Sequence, residues 1–260
     1  MKVALTIAGS DPTGGAGLQL DVQVFRAFGL HGAGVPTALT VQDSTRVKQV
    51  LPAFPSVVLE QLRVLLADVR PAAVKIGMLA TDDVTRNVAL ALSGMDPNIP
   101  WVLDPVLAGS DGTPLLERRA WPTLAALFPR AALVTPNRPE AGELSGVDAS
   151  SDVGAERAAR ALLLDQGARA VLVKGGHRKG APRDLLALRE EQTVRTTWLE
   201  GVRHPGGPVH GTGCALSSAI AAELALGRPL EQAVEAARRF VAAAIARAFV
   251  AGGGARFLSF

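Results

Sequence analysis

Short apolar segments alternate with longer segments of helical periodicity along almost the whole chain, and this alternation is the strongest constraint on its fold. Apolar runs of about four to eight residues are typical of buried strands, whereas apolar residues about three or four positions apart predict amphipathic helices. Strands that alternate with helices form a mostly parallel sheet with helices packed on it. The sequence therefore predicts an α/β sandwich, with residues 1–260 as one domain.

The predicted elements follow this alternation. The predicted strands are Lys2–Ile7, Gly34–Val41, Val74–Leu79, Trp101–Leu103, Ala132–Thr135 and Ala170–Val173, with two paired strands at Asp184–Arg189 and Thr193–Trp198. The predicted helices are Leu18–Phe28, Pro55–Leu66, Thr81–Leu92, Ala155–Gln166 and Leu230–Phe249, with a mostly helical stretch at Pro114–Leu127. Thr81 is the expected N-cap of its helix, because a Thr side chain accepts a hydrogen bond from a first-turn amide.

Composition excludes several classes of protein. Hydrophobic residues make up 48% of the 260, and 27 basic against 24 acidic residues leave a net charge of only +3. This weak field, with no Tyr and 4% aromatic residues, argues against a nucleic-acid partner. The single cysteine excludes an internal disulfide. Apolar runs are too short for a membrane span or a secretory signal, so we expect a cytoplasmic protein with no membrane partner.

Polar residues and glycines cluster where the predicted strands end. These positions are Gly9, Gln42, Lys75, Asp104, Asn137 and Lys174. In open, mostly parallel sheets, ligands bind beyond the carboxyl ends of the strands. A scaffold loop needs no such set of side chains, so the sequence predicts one functional site at this edge of the sheet.

The stretch His210–Leu224 predicts a loop that opens directly into a helix. Gly211, Thr212 and Gly213 come first, and helix-forming Ala and Leu residues follow. A glycine-rich loop at a helix N-terminus directs unpaired amides at one point and favours an anion there, phosphate above all. Cys214 lies at this point. A thiol at a helix N-terminus can have a lowered pKa, whereas free cysteines are usually buried core residues, and the sequence leaves both interpretations open.

An anion site with acids and lysines at neighbouring strand ends fits phosphoryl transfer, which needs cations over the phosphates and a base for the acceptor's proton. In this interpretation residues 211–213 hold the transferring phosphoryl group and Lys174 contacts the nucleotide phosphates. Asp104 and Glu140 hold Mg²⁺ through waters. Each has a structural alternative: Lys174 as a solvated side chain, Asp104 as a turn residue and Glu140 as the first-turn charge of a helix.

Seven motifs, in order along the chain, resemble the bacterial hydroxymethylpyrimidine/phosphomethylpyrimidine kinases of thiamine biosynthesis. They are Gly9–Gly17 with Asp21, Thr37–Gln42, Lys75–Met78, Asp104–Val106, Thr135–Glu140, Val173–His177 and His210–Cys214. The resemblance implies a ribokinase-like three-layer α/β/α sandwich, ATP and Mg²⁺ as cofactors, and a homodimer. It also implies transfer of the ATP γ-phosphate to 4-amino-5-hydroxymethyl-2-methylpyrimidine and then to its monophosphate.

The resemblance further implies roles for individual residues. Six would surround the pyrimidine: Gly9, Asp21, Gln42, Met78, Val106 and Cys214. Cys214, with Gly211, Thr212 and Gly213, would form the catalytic centre, and Lys174, Asn137 and Thr212 would bind the nucleotide. The amide of Gln42 offers the donor and the acceptor that the edge of an aminopyrimidine needs. At residue 43 the family usually carries Asn, where this chain has Asp43.

Three other functions remain open at this point. A pyridoxine or pyridoxal kinase has the same fold and also takes a flat nitrogen heterocycle with a hydroxymethyl group. A non-catalytic protein that binds a nucleotide or a pyrimidine would keep the anion site and lose the base. A cysteine hydrolase would need a histidine beside the thiol, and His210 is the local candidate.

Overall fold

The computed structural model describes residues 1–176, 180–191 and 193–260. Within these ranges, nine strands form one sheet in the order β3-β2-β1-β4-β5-β6-β7-β8-β9. Their bounds are β1 Val3–Ser10, β2 His31–Gln42, β3 Val47–Pro52, β4 Ala73–Ile76, β5 Trp101–Leu103, β6 Leu133–Val134, β7 Ala170–Val173, β8 Arg183–Glu190 and β9 Thr193–Glu200. The centre of the sheet, from β2 to β7, is parallel. At the edges, β3 pairs antiparallel with β2, β8 with β7, and β9 with β8.

Eight α-helices accompany these strands in the part of the chain that the structure describes, six of them before the last strand and two after it. They are α1 Gly17–Ala27, α2 Pro55–Asp68, α3 Asp82–Leu92, α4 Trp121–Ala125, α5 Arg138–Ser145, α6 Asp152–Leu164, α7 Thr212–Ala225 and α8 Leu230–Ala246. Thr81 caps α3 as expected, because its side chain accepts a hydrogen bond from the amide of Val84. None of the helices in the described ranges is long and apolar enough to cross a membrane.

Two apolar cores lie on opposite faces of the sheet. Helices α2 to α6 pack against one face, and α1, α7 and α8 pack against the other. Helix α7 is the central helix of its layer, and most of its residues are buried. Its Ala and Ser side chains are small, so its backbone approaches both the sheet and the neighbouring helices closely. The result is the predicted three-layer α/β/α sandwich.

The structure differs from the predicted elements in the bounds of several of them, and most clearly in three places. Strand β3 was not predicted, and most of its residues are exposed, so it lacks the apolar pattern of a buried strand. The predicted helical stretch Pro114–Leu127 contains only the single 3₁₀ turn Arg118–Ala120 and the short α4. The predicted loop after β6 ends at Asn137, where α5 begins with Pro at its second position.

Candidate active site

A cleft of about 500 Å³ lies at the carboxyl ends of β1, β2 and β4, beside the first turn of α7. Most of the residues expected around a pyrimidine line this cleft: Gly9, Gln42, Met78, Val106 and Cys214. These residues come from five separate segments of the chain. The convergence follows from the parallel sheet, which brings the ends of its central strands to one edge.

Two glycines allow close backbone contacts around the first loop. Gly17 has φ +57°, and a Cβ there would lie 2.3 Å from the carbonyl oxygen of Gly9. Gly211 has φ +75°, and a Cβ there would lie 1.9 Å from the carbonyl oxygen of Gly15. A side chain at residue 17 would push the start of α1 away from the end of β1, and one at residue 211 would push the start of α7 away from the first loop, so both positions require glycine.

The N-terminus of α7 is open to an anion. Gly211 is its N-cap residue, and no side chain within the described ranges caps it. A Cβ on Gly213 would lie 3.2 Å from the Nζ atom of Lys174, so an ammonium group stands directly beside this first turn. First-turn amides, the positive end of the helix dipole and a lysine therefore converge at one point, as phosphate binding requires.

Cys214 is half-buried, and it lines the cleft. Burial raises the pKa of its thiol, and the nearby carboxylates of Asp21 and Asp104 raise it further. The Lys75 ammonium and the Gly17 amide act in the opposite direction without reversing the shift. The lowering expected from the helix N-terminus is therefore outweighed, although the cysteine does face the cleft.

Asp21, expected beside the pyrimidine, does not line the cleft. It lies on the inner face of α1, and its side chain has no exposed surface. Its carboxylate accepts hydrogen bonds from the hydroxyls of Thr6 and Ser218, at 2.6 and 2.7 Å, and from Lys75 Nζ at 2.7 Å. Lys75 is itself fully buried, but it forms part of the cleft wall. Asp21 therefore fixes a lysine at the floor of the cleft and does not face the cleft itself.

Asp104 forms a second buried ion pair. Its Oδ1 lies 2.6 Å from Lys174 Nζ and accepts a hydrogen bond from Thr135, and its Oδ2 accepts one from Ser217 on α7. Burial raises the pKa of this carboxyl, but Lys174 and Lys75 outweigh that effect and lower it. Asp104 therefore stays ionised and holds Lys174 at the start of α7.

Glu140 and Asn137 cap α5 reciprocally. Asn137 Oδ1 accepts a hydrogen bond from the Glu140 amide at 2.9 Å, and Glu140 Oε2 accepts one from the Asn137 amide at 2.7 Å. The structural alternative for Glu140, a first-turn charge, is thus realised. Burial raises the pKa of Glu140 to about 7, and Asp104 adds to this while Lys174 opposes it. A nearby cation would relieve the cost of ionising this carboxyl.

The donor set near Asp104 and Glu140 fits Mg²⁺ only through water. Within the described ranges, no group of three or more His, Cys, Asp or Glu side chains is placed to hold a metal ion. Lys174 and two hydroxyls already contact the Asp104 carboxylate. Mg²⁺ keeps much of its hydration when only one or two carboxylates bind it, so two carboxylates suffice for water-mediated binding.

Comparison with known proteins places this geometry in a family. The family model described as phosphomethylpyrimidine kinase matches residues 11–258. The chain belongs to this kinase family. It is 38% identical to a hydroxymethylpyrimidine/phosphomethylpyrimidine kinase of Staphylococcus aureus, over 94% of this chain and 88% of that one. It is 40% identical to the Streptomyces coelicolor protein of the same name, over 97% and 91%.

Solved structures confirm the ribokinase-like fold of the kinase. A phosphomethylpyrimidine kinase of Clostridium difficile superposes with a TM-score of 0.79 at 33% identity, over 94% of this chain and all of that one. A pyridoxal kinase of Bacillus subtilis, in complex with ADP, superposes with a TM-score of 0.87 at 31% identity, over 99% and 96%. The fold is thus common to kinases of both ring types, and fold similarity alone does not separate them.

Two groups of residues that line the kinase's cleft were not among the site residues that the resemblance implies. Asp11 and His210 face each other there, with His210 Nε2 2.8 Å from Asp11 Oδ2. The C-terminal residues Gly253, Gly254 and Ala255 also reach the rim. Asp11 and His210 stood within quoted motifs, but no spacing rule pairs residues 199 positions apart. The glycine triplet was the available signal for the tail.

His177, the last residue of the Val173–His177 motif, lies outside the described residues. A more open groove of about 720 Å³ runs between α1 and residues 258–260, and it contains none of the predicted site residues.

Proposed function

We propose that this kinase transfers the γ-phosphate of ATP to the hydroxymethyl group of 4-amino-5-hydroxymethyl-2-methylpyrimidine, and then phosphorylates the monophosphate. One observation carries the proposal. The thiol of Cys214, the first turn of α7 and the ammonium of Lys174 converge beside a cleft that also presents Gln42 and apolar side chains. The curated relatives at 37–40% identity bear the name of this activity, which supports the choice of acceptor.

The cleft offers a flat heterocycle one polar edge and two apolar contacts. Gln42 provides a side-chain donor and acceptor, and Met78 and Val106 provide apolar surface for the ring faces. With the ring held between them, the hydroxymethyl group would point toward Cys214. The reaction then forms a bond between the alcohol oxygen and the γ-phosphorus and breaks the bond from that phosphorus to the β–γ bridging oxygen. The thiolate of Cys214, which is the minor form at neutral pH because the pKa of the thiol is raised, accepts the hydroxyl proton, and ADP leaves.

The nucleotide phosphates would lie at the N-terminus of α7. Gly211, Thr212 and Gly213 would supply the amides there, and Lys174 and Asn137 would contact the nucleotide from the neighbouring strand ends. These donors offset the repulsion between two anionic phosphates in the second step, together with Lys75 at the floor of the cleft. Asp104 and Glu140 would hold Mg²⁺ through waters. When bound, Mg²⁺ neutralises charge on the transferring phosphates.

We further propose that residues 1–260 act as one kinase domain in a cytoplasmic homodimer. The single sheet within the described ranges supports the domain assignment, and the family resemblance supports the dimer. Light scattering of the purified chain tests the dimer directly: a mass near twice 26.9 kDa supports it, and a mass near 26.9 kDa rejects it.

An ATP-consumption assay with products counted by mass spectrometry tests the activity. The aminopyrimidine alcohol should yield first its monophosphate and then its diphosphate. Cys214→Ala should lower turnover by orders of magnitude while pyrimidine binding stays measurable. Cys214→Asp should be more active than Cys214→Ala, because a carboxylate restores a base at this position. No phosphorylated pyrimidine from the unaltered protein would refute the proposal, and monophosphate alone after long incubation would refute the second step.

Pyridoxal-type alcohols are a second candidate class of acceptor. The high structural similarity to pyridoxal kinases of Bacillus subtilis and Staphylococcus aureus favours testing them. Parallel turnover of the aminopyrimidine and a pyridine alcohol decides between the two. We expect the pyrimidine to be preferred, because the carbonyl oxygen and the NH₂ group of the Gln42 side chain match its adjacent amino group and ring nitrogen.

A further inference from the structure

Asp11, His210 and Gln42 form a chain of polar contacts in the cleft. Asp11 and His210 have no role in the reaction described above. His210 Nε2 lies 2.8 Å from Asp11 Oδ2 and 3.3 Å from the side-chain nitrogen of Gln42. One imidazole nitrogen is thus shared between a carboxylate and the amide that would recognise the substrate. The proton on this nitrogen decides what each neighbour can do.

Asp11 is an acceptor in this chain. Its side chain is only 5% exposed, and its Oδ1 accepts hydrogen bonds from the amide and the hydroxyl of Thr13, both at 2.8 Å. Burial raises the pKa of Asp11, but the hydrogen bonds from His210 and Thr13 outweigh burial and lower it. An ionised carboxylate only accepts hydrogen bonds, so His210 Nε2 must carry the proton that lies between them.

A protonated Nε2 cannot accept a second hydrogen bond from the Gln42 amide nitrogen. With that nitrogen 3.3 Å away, two donors would face each other. The oxygen and nitrogen of a side-chain amide are nearly equal in size, and their orientation follows from the hydrogen-bond network. The amide of Gln42 is therefore turned so that Oε1 faces His210, and its NH₂ group points away from the imidazole.

The imidazole cannot rotate away from this arrangement easily. A Cβ on Gly15 would lie 2.6 Å from the Cδ2 atom of His210, so the backbone presses against one side of the ring. The ring of Phe257 packs against it edge to face, with centroids 6.2 Å apart. The backbone amide of His210 also donates to the carbonyl oxygen of Arg256. The direction of the Nε2–H group is therefore fixed by its surroundings.

We propose that Asp11 and His210 are positioning residues that fix the hydrogen-bonding pattern of Gln42 and thereby the class of heterocycle the cleft accepts. This inference rests on the proposed function. The NH₂ group of Gln42 donates to a ring nitrogen, and the second lone pair of Oε1 accepts from an adjacent exocyclic amine. A 4-aminopyrimidine presents this acceptor beside this donor. The 4-oxo analogue presents a carbonyl beside a ring N–H, which is the reverse pattern, and the fixed amide rejects it.

The decisive variant is Asp11→Asn. Its Oδ1 can still accept from Thr13, but its NH₂ group now donates to His210 Nε2, so the proton moves to Nδ1 and the amide of Gln42 is free to turn. We expect the kcat/KM ratio of the 4-amino to the 4-oxo alcohol to fall at least about tenfold. Most of the loss should lie in KM for the amino alcohol, with KM for ATP changed less than about twofold.

Asp43→Asn is the matched control. Asp43 also lines the cleft, and its Oδ1 accepts hydrogen bonds from the amide and the hydroxyl of Thr45, as Asp11 does from Thr13. The control removes the same charge from the same kind of turn, but no contact joins Asp43 to His210 among the described residues. The amino-to-oxo ratio of this variant should stay within about twofold of the unaltered protein.

The tautomer of His210 gives a test that needs no substrate. The chain has 4 histidines, and loss of one signal in His210→Gln assigns the His210 resonances in ¹⁵N-edited spectra. We expect Nε2 to be protonated at neutral pH in the unaltered protein and unprotonated in Asp11→Asn. An unprotonated Nε2 in the unaltered protein, or an unchanged amino-to-oxo ratio in Asp11→Asn, overturns the inference. Failure of the unaltered protein to phosphorylate either alcohol overturns the proposed function instead.

Discussion

Lys75→Met is the change whose effect on stability the structure defines most sharply. Lys75 Nζ lies 2.7 Å from Asp21 Oδ2, and neither side chain has any exposed surface. The methionine retains the length of the side chain but removes its charge. Among the described residues, the Asp21 carboxylate then keeps the hydroxyls of Thr6 and Ser218 as partners. A buried carboxylate that loses its counter-ion is strongly destabilised, because no water replaces the lost charge.

Removal of one member of a buried ion pair costs about 3–5 kcal/mol. Because two hydroxyl donors to Asp21 remain, we expect the loss of stability in Lys75→Met to lie near the lower end of this range, at about 3 kcal/mol. For a chain of this size, 1 kcal/mol lowers the melting temperature by about 2–4 °C, so the expected fall is on the order of 6–12 °C. Arg70→Met is the matched control. Arg70 pairs with Asp96, but its side chain is 78% exposed, and such surface pairs contribute at most about 1 kcal/mol.

Urea unfolding of five proteins measures this effect: the unaltered chain, Lys75→Met, Asp21→Asn, the double variant and the Arg70→Met control. Both single variants should lose more stability than Arg70→Met, and the double variant should lose less than the sum of the two, because it leaves no unpaired charge. The pair also has a pH signature. Burial lowers the pKa of Lys75, but Asp21, with Cys214 and Asp104, outweighs burial and raises it. The pair therefore stabilises the fold fully below about pH 10.4, the ordinary lysine pKa, and less as the pH rises further. A cost for Lys75→Met no larger than that for Arg70→Met would refute the reasoning.

Replacing Glu140, Lys174 or Gly211 is expected to change three different properties of the kinase. The pKa of Glu140 is raised to about 7, so its contribution to stability is full below about pH 4.5 and is lost as the pH rises through 7. In urea titrations, the free energy of unfolding of Glu140→Gln should therefore rise by up to about 3 kcal/mol relative to that of the unaltered protein between pH 5 and 8. A difference in unfolding free energy that stays constant over this range would contradict the prediction. Lys174→Met should raise KM for ATP at least about tenfold and leave KM for the pyrimidine within about twofold, whereas equal changes in both would exclude a role at the nucleotide. Gly211→Ala should lower the free energy of unfolding by about 1–3 kcal/mol and lower kcat at least about a hundredfold, because φ is +75° and its Cβ would overlap the Gly15 carbonyl. Near-normal turnover of a variant with a normal circular dichroism spectrum would contradict this prediction.

The central strands could be predicted from sequence because burial on both faces produces uninterrupted apolar runs. Trp101–Leu103 and Ala170–Val173 have the predicted bounds, and each is buried along its whole length. Strand β3 could not be found this way. Its position comes from antiparallel pairing with β2, with Leu39 opposite Leu51, and backbone pairing leaves little trace in the sequence of an exposed edge strand.

The gathering of Gly9, Gln42 and Cys214 in one cleft could be anticipated because strand ends meet at one edge of a parallel sheet. The orientation of Asp21 could not. It lies four residues into α1, on the face that packs inward, and only the three-dimensional position of that helix shows that its carboxylate meets Lys75 and not the cleft. The Asp11–His210 contact was hidden for the same reason, since it joins two segments at opposite ends of the chain.

The pKa of Cys214 could not be predicted from its position at a helix N-terminus alone. A helix N-terminus lowers the pKa of a thiol, but here burial and two carboxylates from other segments raise it, and Lys75 is the main opposing charge. Lys75→Met should therefore raise the thiol pKa further and shift the pH profile of iodoacetamide alkylation, and of kcat, to higher pH. Arg70→Met should leave both profiles in place. If Lys75→Met and Arg70→Met have the same pH profiles of alkylation and of kcat, Lys75 does not act on the thiol, and its buried pair with Asp21 has only a structural role.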